Sequence, residues 1–224
     1  MRFVLSLSMK RLTFLALATA ATLAPLLITG CVTGHIAGPY HVVAYKPHDP
    51  SHVRVDLSIS RQHVYVMEGD RCLMAAACCV GENGRTPMGH FHVIDKIRDK
   101  RSGSFGFTRD GRPADIHKGQ SVDVGYPMAF WVEFQPSYGF HEGFVWSIPR
   151  THGCVRLHKE AAARLFALTH MGTPVDVAMT QPEDETIGKT VQTLDQRNDP
   201  DPPASLLMSS RWFQDPPGPL LIEQ

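Results

Sequence analysis

The sequence predicts a mostly β domain carrying one short α-helix. Three observations point there: stretches in which apolar and polar residues alternate, turn signals between them, and a single run with helical spacing around residue 165. "VRVDLSIS" (53–60) and "QHVYVM" (62–67) alternate and are separated by Arg61 alone, so they form two short strands or one bent strand. Glu68-Gly69-Asp70-Arg71 marks a turn, and the apolar "CLMAAACCV" (72–80) completes a hairpin before a second loop at Gly81-Glu82-Asn83-Gly84. "GHFHVID" (89–95) and "MAFWVEF" (128–134) are further strands, the latter rich in aromatic and β-branched types that suit a pleated surface. Between them, residues 98–126 show little periodicity and are too long for a passive connection, which predicts a lid or binding loop. Its basic members, Arg98, Lys100, Arg101, Arg109, Arg112 and Lys118, are candidates to meet an anionic ligand, the alternative being a solvated surface. Ala161, Leu165, Leu168 and Thr169 share one side of a helix that Gly172 and Pro174 stop, and "VDVAM" (175–179) is the closing strand.

Composition separates the two ends from this domain. From Met9, "MKRLTFLALATAATLAPLLITGC" has a basic start, a short apolar run and small residues before Cys31, the pattern of an export signal over residues 1–30. Its ending, "LITGC", resembles the lipobox of bacterial lipoproteins; a plain membrane anchor or an ordinary cleaved signal are the alternatives. The resemblance implies lipid on Cys31 and an envelope protein facing the periplasm, and Val32 in place of aspartate implies the outer membrane. Residues 31–51 are expected as a polar, flexible linker, 52–180 as the domain, and 181–224 as an acidic, proline-bearing, disordered tail. Basic and acidic residues number 22 each, so no net field favours a nucleic-acid partner. Cys72, Cys78 and Cys79 have no familiar disulfide spacing; they are expected as small buried residues, with the neighbours Cys78 and Cys79 on opposite faces of a strand.

Cys154 is different, because it stands between His152 and His158 with His141 upstream. A thiol that attacks a carbonyl needs a base or a cation beside it, and residues two apart in an extended segment share a face, as His152 and Cys154 would. Gly153 admits a ligand close to the backbone, and amides near Gly153 and Cys154 can cradle an oxyanion. Two alternatives stay open at this point: a metal site from His141, His152, Cys154 and His158, whose spacing is unlike the usual paired ligands, and a merely structural Cys154.

"THGCVRL" (151–157) resembles the [ST]-H-G-C-[VI]-R signature of the L,D-transpeptidase (YkuD-type) catalytic domain. "RQHVYVMEGD", "GENGRTPMGHFHV" and "YGFHEG" resemble three further segments of that family, in the same order, over about residues 52–179. The resemblance implies a β-sandwich with one short helix beside the site, and no cofactor or metal. It implies Cys154 as nucleophile, His141 as the histidine that activates it, and His152 as a second histidine lining the site. Gly153, Thr151 and Arg156 are implied in substrate binding or oxyanion support, whereas Thr86, Pro87 and Gly89 match a structural turn. Two departures are Glu142, where small residues commonly stand, and His158 at the helix start.

The expected activity is therefore acyl transfer on peptidoglycan stem peptides through a Cys154 thioester, with a stem amine, a lipoprotein lysine or a D-amino acid as acceptor. Water as acceptor would make the same site a carboxypeptidase or hydrolase. A catalytically silent lipoprotein tethering membrane to wall is the contrasting expectation.

Overall fold

The alternating residues of the first two strands form a hairpin. β1 (Val53–Ser58) pairs antiparallel with β2 (His63–Glu68), Val55 opposite Val66, and β2 pairs with β3 (Arg71–Cys79) across the turn where Gly69 adopts φ 57°. The computed structural model describes residues 40–224; the export signal and Cys31 lie outside the described residues.

β4 (Gly89–His92) pairs with β12 (Pro174–Ala178), which lies parallel to β1. Just beyond His92, β5 (Asp95–Ile97) pairs instead with β9 (Trp131–Gln135), at the opposite edge of the same nine-stranded sheet. One short run thus joins the two edges: the Val93 amide donates to Thr173 and the Ile94 amide to Glu133. The sheet folds over on itself, with the rings of Phe91 and Phe134 5.4 Å apart across the interior. Val55, Leu57, Leu73, Met74, Phe130, Val132 and Phe140 fill the space between its halves. The mostly β class and the sandwich are as the sequence led one to expect.

Cys78 and Cys79 leave β3 on opposite faces, Cys78 into this main core and Cys79 into a smaller cluster with Tyr65, Met67 and Val191. Among the described residues the one long helix is α1 (Lys159–Leu168), whose Ala161, Leu165 and Leu168 are buried. Burying a leucine contributes about 1.5–3 kcal/mol, enough to fix a helix of this length. His158 caps it, its Nδ1 accepting from the Glu160 amide.

Three expectations are corrected. Residues 98–126 are not a loop but a second, three-stranded sheet: β6 (Arg101–Phe107), β7 (Pro113–Asp115) and β8 (Val124–Pro127), with β6 central. The linker, expected to be flexible, is packed: Tyr40 lies against the core, and Val42 and Ala44 are buried in it.

The tail, expected to be disordered, is ordered against the domain. The Asp184 carboxylate accepts from Ser58 and Tyr65, each at 2.8 Å, and from the Gln181 amide. Val191, Leu207 and Phe213 are buried, and Ile222 pairs with Tyr45 of the linker. Two of the basic residues of 98–126 hold it rather than an anionic ligand. Arg98 pairs with Asp215 at 2.9 Å, and Arg101 donates to the carbonyls of Leu207, Met208 and Ser209, at the end of the short α2 (Ala204–Leu207). A guanidinium spanning several orphan carbonyls at a helix end is a charge-assisted cap.

Arg101→Ala removes that cap, at a cost of roughly 2–4 kcal/mol to the docked segment. Hydrogen exchange should show residues 200–213 losing protection while β1 to β3 keep theirs; unchanged protection throughout would show that the guanidinium does not hold the segment.

Candidate active site

The site is set by a parallel pairing. β10 (Tyr138–Glu142) lies beside β11 (Val155–Leu157), with Phe140 opposite Val155 and His141 opposite Arg156. Continuing that register one step back places Cys154 beside Gly139. Side chains alternate along each strand, so His141, Arg156 and Cys154 leave the same face, while a Cβ at Gly139 would stand 2.7 Å from the Val132 carbonyl and 2.9 Å from the Trp131 ring. The Cys154 thiol donates to the Ser137 carbonyl at 3.6 Å, and the Gly139 amide is directed at the sulfur. Ser137, following Pro136, holds a left-handed φ of 70°, and the Glu133 carboxylate accepts from its amide at 2.6 Å. A non-glycine residue there costs about 1–2 kcal/mol, which the turn's contacts offset.

Two buried threonines shape the loop that presents Cys154. Thr151 Oγ1 accepts from the Gly153 amide at 3.0 Å and donates to the Cys154 carbonyl at 2.5 Å. Thr86 Oγ1 accepts from the Gly81 amide and donates to the Gly153 carbonyl, each at 2.8 Å. Gly153 sits at φ 132°, and a Cβ there would fall 2.4 Å from the Tyr138 ring, so only glycine fits. The Gly153 amide, expected near an oxyanion, is committed to Thr151. Thr86 was legible only as a turn residue; its tie between two loops 67 positions apart is a long-range contact with no local signal.

The electrostatics favour a neutral pair. His141 is buried, and its Nδ1 lies 2.7 Å from the Glu142 carbonyl. A carbonyl only accepts, so Nδ1 carries the proton and Nε2 is left as the basic nitrogen. Burial lowers the imidazole to about 4, and Arg156 pushes the same way. Burial raises the Cys154 thiol, while the Gly139 amide and the Arg156 cation pull it down. No hydrogen bond joins the resting thiol to His141 or His152 among the described residues. Arg156 itself makes no ion pair among them; its stem lies against Gly143, where a Cβ would stand 3.0 Å from its Cδ.

Glu142, the departure noted above, is buried with Oε2 unpartnered, and burial raises it to about 7 against the pull of Lys159. The linked stability terms have opposite signs. Neutral His141 stabilises above its ordinary value of 6.5, and that contribution is lost as pH falls toward about 4. Protonated Glu142 contributes below its ordinary value of 4.5, and that contribution is lost as pH rises through about 7.

His152 is exposed and stacked on Phe105 of β6, ring centroids 5.3 Å apart. It faces a cavity of about 1100 Å³ between the three-stranded sheet and the tail, whose walls include Phe107, Lys118, Tyr126, Asp201 and Leu207. Of the six basic residues once set against an anion, Lys118 alone lines it. His158 is used as the cap of α1 and packs edge-on to Tyr40, and among the described residues no three His, Cys, Asp or Glu converge to hold a metal.

Thr86→Val strands a buried amide and a buried carbonyl, each costing about 1–3 kcal/mol. It should slow thioester formation at Cys154 by at least roughly tenfold, with Thr86→Ser restoring most of the rate. Equal rates for valine and wild type in a stopped-flow acylation assay would remove Thr86 from the positioning of the loop.

Residues 52–177 match the family model of the YkuD L,D-transpeptidase catalytic domain. No curated protein matches the chain. Among solved structures, an L,D-transpeptidase from Stackebrandtia nassauensis is 18% identical, with a TM-score of 0.44 over 62% of this chain and 60% of its own. L,D-transpeptidase 1 of Mycobacterium tuberculosis is 25% identical, with a TM-score of 0.42 over 57% of this chain and 59% of its own. An L,D-transpeptidase from Mycobacterium smegmatis is 17% identical, with a TM-score of 0.45 over 57% and 58%. The matched region spans about three-fifths of the length of each. With the family pattern covering more than half of its length, the chain belongs to the YkuD family of L,D-transpeptidase catalytic domains.

Proposed function

We propose that this protein is a cysteine-dependent L,D-transpeptidase acting on peptidoglycan stem peptides. The observation that carries the reading is the placement of the Cys154 thiol and the basic nitrogen of a neutral His141 on one face of the β10/β11 pair, in a chain of this family. In the first half-reaction Cys154 Sγ attacks the carbonyl between the third stem residue and the following D-amino acid. His141 Nε2 takes the thiol proton, the Cys154 amide meets the developing oxyanion, and the C–N bond breaks. The leaving amine carries away the proton from His141, and a thioester remains on Cys154. An acceptor amine then attacks the thioester carbonyl, and the thiol is restored.

Arg156, unpaired beside both groups, favours the thiolate over the thiol and is placed to receive a substrate carboxylate. Thr151 and Gly153 hold the loop, and His152 supplies a wall of the cavity rather than the base. The anchoring part of the proposal rests on "LITGC": lipid on Cys31 would hold the domain on the periplasmic side of an envelope membrane, the outer one by Val32, within reach of the wall and of lipoprotein acceptors.

Cys154→Ser should fold as wild type and form no acyl-enzyme with a disaccharide-tetrapeptide, because an alcohol is a far weaker nucleophile than a thiolate. His141→Ala should lose about a hundredfold or more in acylation rate. Intact-mass analysis with the tetrapeptide and with a carbapenem reads both: one adduct on wild type, none on Cys154→Ser. Turnover of tetrapeptide by well-folded Cys154→Ser would refute the mechanism, and release of the D-amino acid without any transfer product would make water the acceptor.

A further inference from the structure

The loop from Gly143 to Gly153 joins β10 to β11 and leads into Cys154, and its first half lies in no strand. Val145 nevertheless has both of its peptide groups satisfied, and by one residue of the C-terminal segment. The Gln196 amide donates to the Val145 carbonyl at 2.8 Å, and the Val145 amide donates to Gln196 Oε1 at 3.1 Å. A peptide N–H only donates, so the side-chain atom facing it is the oxygen, and Gln196 Nε2 is turned away to Asp199 Oδ2 at 3.2 Å. Gln196 thus stands in for one residue of a neighbouring strand. A second tie lies beside it: the Ser147 hydroxyl donates to Asp195 at 2.7 Å, and Arg197 Nε holds that carboxylate at 2.9 and 2.8 Å. Beneath them Val145 packs with Val191 in the smaller core. The domain's own grip on this reach is weaker. Gln62 reaches the Trp146 carbonyl at 3.4 Å and the Cys79 thiol the Ile148 carbonyl at 3.5 Å, and closer contacts resume only where the Arg150 and Thr151 amides share the Val80 carbonyl.

We propose that Gln196 is a positioning residue for the loop that presents Cys154, so that the working unit extends past the family-matched residues 52–177. The inference rests on the acylation of Cys154 proposed above and adds a part of the chain to it. Gln196 touches no reacting atom. It acts through Val145, holding the near end of the loop while Thr86 and Thr151 hold the far end. A nucleophile attacks only from close to its target carbonyl, and a loop released at one end spends part of its time with the sulfur displaced. Loss of the clamp should therefore slow the attack on a bound ligand and leave the binding of that ligand unchanged.

The test uses the full chain in detergent, with stopped-flow acylation by a carbapenem to separate the limiting rate from the apparent Kd. Gln196→Ala should lower the limiting rate roughly three- to tenfold at unchanged apparent Kd. Gln196→Leu, which keeps the volume without the acceptor, should be as slow. Gln196→Glu combined with Asp199→Asn keeps an oxygen on the Val145 amide and reverses the polarity of the outer contact, so it should restore most of the rate. Hydrogen exchange should show Val145 protected in wild type and in that double variant, and unprotected in the other two. A wild-type rate in Gln196→Ala, or Gln196→Leu as fast as the double variant, would overturn the assignment; should Gln196→Ala fail to fold, the second comparison decides it alone. Failure of wild type to form any adduct would overturn the acylation reading, whereas unchanged Val145 protection in Gln196→Leu would overturn the clamp.

Discussion

Three residue pairs of a parallel ladder, from Phe140 opposite Val155 to Glu142 opposite Leu157, set the geometry of the candidate site. Side chains alternate along a strand, so a slip of one residue would turn Cys154 away from the face that His141 occupies and drive Phe140 out of the core. Parallel neighbours cannot be joined by a tight turn, and the connection from Gly143 to Cys154 must be held by other means. Thr86 and Thr151 do that: between them they satisfy the Gly81 and Gly153 amides and the Gly153 and Cys154 carbonyls. The hydroxyl contacts are modest one by one, but each closes a buried backbone group whose exposure would cost more than the bond contributes.

Electrostatics follow from the same packing. Burial drives both partners toward their neutral forms, so thiol and imidazole rest uncharged, and the Glu142 carbonyl determines which imidazole nitrogen is basic. Arg156 pulls the thiol down against its burial and makes no ion pair among the described residues. Glu142 is the counterweight. Its carboxyl is buried with Oε2 unpartnered and raised to about 7, so near neutrality it carries less negative charge than an ordinary carboxylate would.

Much of this was legible in the sequence, and the rest was hidden for physical reasons. Period-two alternation marked β1 and β2, adjacency put Cys78 and Cys79 on opposite faces, and the spacing of Ala161, Leu165 and Leu168 gave α1. Residues 98–126 hid their strands because β6 and β8 cross so closely that glycine replaces the alternating side chains: a Cβ at Gly106 would fall 2.2 Å from the Val124 carbonyl and one at Gly125 2.1 Å from that of Ser102. The tail hid its order because prolines break any period and its anchors, Val191, Leu207 and Phe213, are too widely spaced to register in a local window. What holds it is long-range, Arg98 and Arg101 from the small sheet and Ser58 and Tyr65 from the large one. His141 and Cys154 were named from motif resemblance; the identity of the basic nitrogen and the commitment of the Gly153 amide required coordinates.

The proposed mechanism requires Cys154 to rest as an accessible thiol, protonated until a base removes its proton, while Cys78 and Cys79 are buried. The rate of carboxamidomethylation of each cysteine in the folded protein, followed by peptide mapping from pH 5 to pH 10, tests this directly. Cys154 should be labelled well before Cys78 and Cys79, at a rate that keeps rising through the alkaline range, as a thiol raised above its ordinary value requires. A Cys154 rate already on its plateau at pH 6, or equal labelling of Cys78 and Cys79 under native conditions, would contradict the neutral pair and with it the site described above.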